Sequence, residues 1–270
     1  MSVTLAFLFG LAIGSFLNVA IARLPKNQSV VHPRSRCPQC GREIRWYENI
    51  PVLSWLALRA RCAGCGQRIS AIYPLVELAT AVIWALAYAN YPGFAAARIA
   101  VFATVMLGIA LTDLREYVIP DGFTVFGLGW CLGTAITGAM IGDTGPFAGP
   151  YDALIGACVG AGAVAIAGWL GEIAFRKEAM GFGDVTLMAV VGAAVGPARA
   201  LLTIFIGALI GATAFLAIVY PIAWMRARGA GREFAPPLVP FGVFLTPAAV
   251  VTLLWGDDLV RWYNATMLGS

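Results

Sequence analysis

Eight apolar stretches, most of them long enough to cross a bilayer, limit what this chain can fold into. They run over 2–22, 72–90, 96–112, 122–142, 152–172, 185–197, 200–224 and 241–256. The sixth and the last are shorter than the roughly 20 residues a full crossing prefers. Composition agrees: 60% of residues are apolar and 12% charged, against roughly 25% charged in a soluble domain. The expected fold is an all-α polytopic membrane protein of about eight transmembrane helices. The opening run MSVTLAFLFGLAIGSFLNVAIARLP lacks the basic start and small-x-small cleavage site of a signal peptide. It reads as a retained first span.

Basic residues set the orientation. With eight alternating spans, 15 of the 18 Lys and Arg fall on one side, in 23–71, 113–121, 173–184 and 225–240. They include Arg115, Arg176, Lys177, Arg226, Arg228 and Arg232. Only Arg98, Arg199 and Arg261 fall on the other. The positive-inside rule makes the first side cytoplasmic and points both termini outward. The net charge of +4 is accounted for by these loops and does not indicate a nucleic-acid partner. Arginines in 34–68 suit contact with anionic membrane lipid. Glycine and alanine crowd 153–168 and 189–214, where small residues let membrane helices approach closely.

Three regions follow: a first helix over 1–22, a cysteine-rich cytoplasmic insert over 23–71, and a transmembrane core over 72–270. In the insert, Cys37, Cys40, Cys62 and Cys65 form two Cys-x2-Cys pairs separated by 21 residues, close to the spacing of a zinc ribbon. Glycines after Cys40 and Cys65 suit tight knuckles. A structural zinc would stabilise an insert too small for a large core. A disulfide framework is the competing reading, disfavoured on a reducing side of the membrane. Cys131 and Cys158 read as small buried hydrophobes. His32 is the only histidine and reads as a solvated loop residue, which argues against triad chemistry.

The acids carry the remaining signal. Asp113 ends the third span in LTDLREYVIPD, and Asp184 opens the sixth in GFGD. The topology puts both near the cytoplasmic face, on different helices. Two carboxylates held close do not both ionise cheaply: one keeps a proton while the other stays charged. Such a pair can activate water against a peptide carbonyl without histidine, cysteine or metal. Gly181 and Gly183, lacking Cβ atoms, would let an extended substrate backbone approach. Helix caps or ion-pair partners, with Asp113 beside Arg115 for one, are the competing reading, and the residues alone do not favour catalysis over it. Asp121 is an alternative first acid and reads as a cap of the fourth helix.

Several segments in this order resemble the bacterial type IV prepilin leader peptidases, membrane aspartic proteases of the GxGD class. They are GSFLNVAIARLP (14–25), the two CxxC pairs, YPLVEL (73–78), DLREYVIPD (113–121), MGFGDVTLM (180–188) and VPFGVFL (239–245). The resemblance covers nearly the whole chain. It implies catalysis by Asp113 and Asp184, with Gly181, Gly183 and Glu77 near the substrate. It implies a prepilin or type II secretion pseudopilin substrate, cut after the glycine that ends a short basic leader. The site would face the cytoplasm from the bacterial inner membrane. It further implies methylation of the new N-terminus from S-adenosylmethionine, since the cysteine insert is typical of the bifunctional branch. No glycine-rich donor fingerprint is present; Asn18, Glu77 and the insert are the candidates for that step. Thr186 departs from the family, which commonly carries Lys there. Two other classes compete. A transporter would need charges near the midplane, and a zinc-ribbon scaffold would leave the paired acids without a purpose.

Overall fold

The computed structural model describes residues 1–143, 145–176, 180–229 and 239–268. Lys177 and Arg232, counted above among the cytoplasmic basic residues, lie outside them. Among the described residues there is no strand, and the chain divides into two compact units.

The first unit comprises Met1–Gly108 with Gly142–Gly145. Its frame is α1 (Val3–Arg23) packed on α3 (Ile72–Asn90). The Ser2 side chain caps α1 by accepting from the Leu5 N–H, and Arg23 sits in its last turn, where a cation suits the negative end of the helix dipole. Gly10 and Gly14 explain the close approach. A Cβ at Gly10 would lie 2.7 Å from Ala81 Cα, and one at Gly14 only 2.6 Å from Glu77 Cα. This is the small-x-x-x-small contact of membrane helices. Between α1 and α3 lies the insert, with one short helix, α2 (Leu53–Ala57). Arg98 and Asp143 form a buried ion pair at 3.0 Å.

Helix α4 (Gly93–Glu116) contributes to both units. The second unit takes Ile109–Ile141 and the chain from Pro146 onward. Its helices are α5 (Asp121–Ile141), α6 (Pro150–Phe175), α7 (Phe182–Val195), α8 (Pro197–Ala214), α9 (Tyr220–Gly229) and α10 (Gly242–Tyr263). A π-helical stretch, Phe215–Val219, carries α8 into α9, making one apolar span of 33 residues from Pro197 to Gly229.

Helix α7 sits against α5, α6, α8 and α10. Its 14 residues rise about 21 Å, short of the roughly 30 Å hydrocarbon core. Leu187, Met188, Val190, Val191, Ala193 and Ala194 are all buried, so the helix is apolar all round because its neighbours are helices. Glycines again set the distance: a Cβ on Gly156 or Gly160 of α6 would collide with the α7 backbone at Gly192 or Met188. Gly196, at φ 82°, ends α7 and turns the chain into Pro197, a conformation that favours glycine.

Seven helices are long and apolar enough to cross a membrane, and α7 is an eighth, shorter one. The chain is a multi-pass membrane protein. Large side chains such as Leu5, Leu8, Val125, Phe126, Leu154 and Phe205 are exposed, as lipid-facing positions are. The last span differs from expectation. It runs Gly242–Met267 over 26 residues, past the Asp257 and Asp258 that interrupt its apolar pattern. Helical hydrogen bonding continues where hydrophobicity fades, because an acid near a helix end can reach out toward polar surroundings.

Candidate functional site

Three helix ends of the second unit hold two carboxylates. Asp113 lies in the last turn of α4 and is buried. Its Oδ2 accepts from the Val243 backbone N–H at 3.2 Å, and the Gly242 N–H also bonds this side chain. Asp113 therefore satisfies free donors at the positive end of α10. The close fit depends on Gly242, since a Cβ there would lie 2.7 Å from Asp113 Oδ2.

Asp184 occupies the first turn of α7, where its N–H donates to Gly181 O at 3.1 Å. It is half-buried. The two acids come from distant stretches of the chain, and the helix ends that carry them meet at Ile119.

Ile119 packs these ends together. A Cβ at Gly183 would lie 2.9 Å from Ile119 Cβ, and one at Gly242 would lie 3.1 Å from Ile119 Cδ1. The bare face of Gly183 is thus taken up from within the protein. Gly181 is exposed, and the nearest atom to a Cβ there would be Asp184 Oδ2 at 3.9 Å. Of the two glycines, Gly181 leaves open backbone beside an acid. Phe182, between them, is 76% exposed. Gly242 and Ile119 were not singled out from the sequence. The available signals were the glycine of VPFGVFL and the apolar residue before Pro120.

Asp121 opens α5 and is exposed. The Thr186 hydroxyl donates to Gly183 O at 2.9 Å, so it serves its own helix and brings no charge. With one buried, anchored carboxylate and one more accessible, the pair has the parts needed to move protons on and off a water molecule.

The four insert cysteines form a second cluster, in the first unit. Two knuckles repeat the same local geometry. Cys37 N–H donates to Arg42 O and Gly41 N–H to Cys37 O; Cys62 N–H donates to Gln67 O and Gly66 N–H to Cys62 O. Gly41 and Gly66 have φ of 69° and 72°, the left-handed turn that glycine allows. All four Sγ atoms lie within 4.8 Å of one another, with Cys37 and Cys65 at 3.8 Å. A tetrahedral zinc with bonds of about 2.3 Å separates its sulfurs by about 3.8 Å, so the cluster fits that ion. Backbone N–H groups of Cys65 and Gly64 lower the Cys62 thiol to about 6, which favours the thiolate a metal needs. Arg42 and Glu48 brace the first knuckle through a 2.7 Å ion pair.

Glu77 and Asn18 also belong to the first unit. Asn18 Nδ2 donates to Tyr73 O at 3.0 Å, tying α1 to α3. Glu77 is buried and accepts from the Val52 N–H at 2.8 Å.

Residues 8–91 match the bacterial peptidase A24 N-terminal domain, and residues 100–216 match the type IV leader peptidase family. A protein from Aeromonas salmonicida named prepilin leader peptidase/N-methyltransferase is 34% identical, over 98% of this chain and 94% of that one. A protein of the same name from Pseudomonas aeruginosa is 36% identical, over 95% of this chain and 91% of that one. Another from Myxococcus xanthus is 43% identical over 69% of this chain, which spans 54% of its length. No solved structure matches the chain.

Proposed function

The chain belongs to the type IV leader peptidase family, and from that premise we propose that it is a membrane aspartic endopeptidase for prepilins or pseudopilins. It cuts the short basic leader after its terminal glycine, at the cytoplasmic face of the bacterial inner membrane, and then methylates the exposed N-terminus. The relatives' printed name, which joins a leader peptidase to an N-methyltransferase, supports both steps. One observation carries the proteolytic reading: Asp113 and Asp184 lie on different helices whose ends close on one residue, Ile119, which packs against Gly183 beside Asp184 and against Gly242 beside Asp113.

In the proposed mechanism the two carboxylates hold one proton and one water between them. The ionised acid takes a proton from the water as its oxygen attacks the carbonyl carbon after the leader glycine. The protonated acid donates to the carbonyl oxygen. Collapse of the tetrahedral intermediate breaks the C–N bond, and the leaving amine takes up a proton from the pair. Asp113 keeps its orientation because Oδ2 is fixed to α10. The open backbone at Gly181 lets the extended leader lie beside Asp184. Gly183 makes room for Ile119, which supports α7 where it meets the substrate.

Zinc on Cys37, Cys40, Cys62 and Cys65 would hold the two knuckles together and takes no part in these steps. The 15-to-3 distribution of basic residues supports the cytoplasmic placement of insert and acids. The cleavage test uses the detergent-purified chain, a prepilin substrate and mass detection of the mature N-terminus. Asp113→Asn and Asp184→Asn should each lower the rate by on the order of 10²–10⁴-fold while remaining folded. Full cleavage by both variants would refute the aspartic mechanism and favour a zinc-ribbon scaffold.

A further inference from the structure

A cavity of ≈ 480 Å³ lies in the first unit, where the insert meets α1 and α3. Its size falls within the roughly 300–1,000 Å³ of small-molecule sites. Ser15, Asn18, Trp55, Arg68, Tyr73 and Glu77 are among the residues lining it. These supply aromatic surface, hydroxyl and amide groups, a cation and a carboxylate.

Glu77 is the unusual member. It is only 8% exposed. Its hydrogen bonds come from the Val52 N–H and the Ser15 side chain, and no Lys or Arg pairs with it among the described residues. A buried carboxylate without a countercharge is costly. The other lining carboxylates are already matched: Glu48 pairs with Arg42 and Glu43 with Arg36.

The backbone that Glu77 holds is strained. Val52 adopts φ 60° and ψ −49°, and Leu53 N–H donates to Pro51 O at 2.6 Å. This is the rare γ-turn, here at a β-branched residue. Strain of this kind persists only where the surroundings fix it, and it concentrates at functional sites. Trp55, three residues on, is fixed by Nε1 donating to Ile69 O at 3.2 Å.

We propose that this cavity binds the sulfonium methyl donor, S-adenosylmethionine, with Glu77 facing its cationic end. The assignment rests on the methylating half of the function proposed above. The lining fits the donor's chemistry. Trp55 and Tyr73 offer faces for adenine, Asn18 and Ser15 offer polar partners, and the Arg68 guanidinium, in no ion pair among the described residues, suits the carboxylate. The donor would supply a methyl carbon whose bond to sulfur breaks as the substrate amine's lone pair forms the N–C bond, leaving a neutral thioether and releasing one amine proton to solvent. Glu77 therefore recognises a charge that disappears when the methyl group leaves. The small volume and enclosed carboxylate favour a small cation over a peptide.

The test is equilibrium binding to the full-length purified protein, with S-adenosylmethionine and its neutral thioether product, S-adenosylhomocysteine, as separate probes. Wild type should bind the donor saturably. Glu77→Gln should weaken donor binding by about tenfold or more and change thioether binding by less than threefold. The ratio of the two affinities is insensitive to the fraction of protein folded, so a general loss of structure cannot imitate it. Equal loss for both probes, or none, would overturn the role of Glu77. A wild type that cleaves prepilin but binds no donor would overturn the cavity assignment and leave the peptidase standing. A wild type that does neither would count against the proposed function itself. Unchanged donor affinity in Glu77→Gln, with a peptide bearing the mature N-terminus bound only by wild type, would assign the cavity to the methyl acceptor. Asp184→Asn should lose cleavage and retain donor binding, separating the two activities.

Discussion

The cysteine cluster and the carboxylate pair are built in opposite ways. Each cysteine knuckle is made by fewer than ten consecutive residues, whose own backbone hydrogen bonds and left-handed glycine present two sulfurs. Two similar copies then need only meet. The acid pair has no local geometry of its own. Asp113 ends one helix, Asp184 begins another, and the N–H groups anchoring Asp113 belong to a third helix 130 residues on. A locally built site depends on what joins its halves, whereas a site made of helix ends depends on the packing of the whole unit.

This contrast can be broken experimentally. Asp113→Asn or Asp184→Asn should produce the largest effect, a loss of cleavage on the order of 10²–10⁴-fold, with the metal content of the insert unchanged. A fall in bound zinc in either variant would show that the two sites are not independent. Chelation, or Cys62→Ser, should release the metal and open residues 23–71 to limited proteolysis, because the knuckles have little else to bury. Helices α5 to α10 should stay protected. Gly242→Ala comes next. Its Cβ would press on Asp113 Oδ2, and a displacement near 1 Å can cost up to about 10²-fold in rate. Cleavage kinetics should show this loss in kcat, and an unchanged kcat would mean α10 does not position the acid. Asp121→Asn should be the mildest, leaving cleavage within about threefold, because Asp121 is an exposed side chain in the first turn of α5, where a surface charge is worth about 1 kcal/mol or less. A large loss there would move the first acid from Asp113 to Asp121.

Much of this was legible in the chain. The apolar runs matched seven long helices and one short one, because lipid demands length and apolarity before any packing detail. Two CxxC pairs predicted a cluster that the structure brings together, since the knuckle is a local fold. GFGD and the acid before VIPD drew attention to Asp184 and Asp113 by their place at span ends. Other features left weaker marks. Gly183 reads as substrate-facing until Ile119 is seen filling its bare side. Gly242 reads as one small residue among many until its N–H and its missing Cβ are seen at Asp113. The cavity around Glu77 leaves no contiguous motif, because its walls come from α1, α3 and the insert.

The sequence by itself determined that the protein lies in a membrane, how many apolar helices it has, and which thiols and acids are available. Those properties depend on composition and short-range spacing. Only the tertiary structure decided that α7 is enclosed by other helices, that α10 anchors Asp113, and that Glu77 is buried at a cavity wall with no ion-pair partner among the described residues. These depend on which distant backbones touch, and the small residues that permit the contact look alike in the sequence whatever they meet.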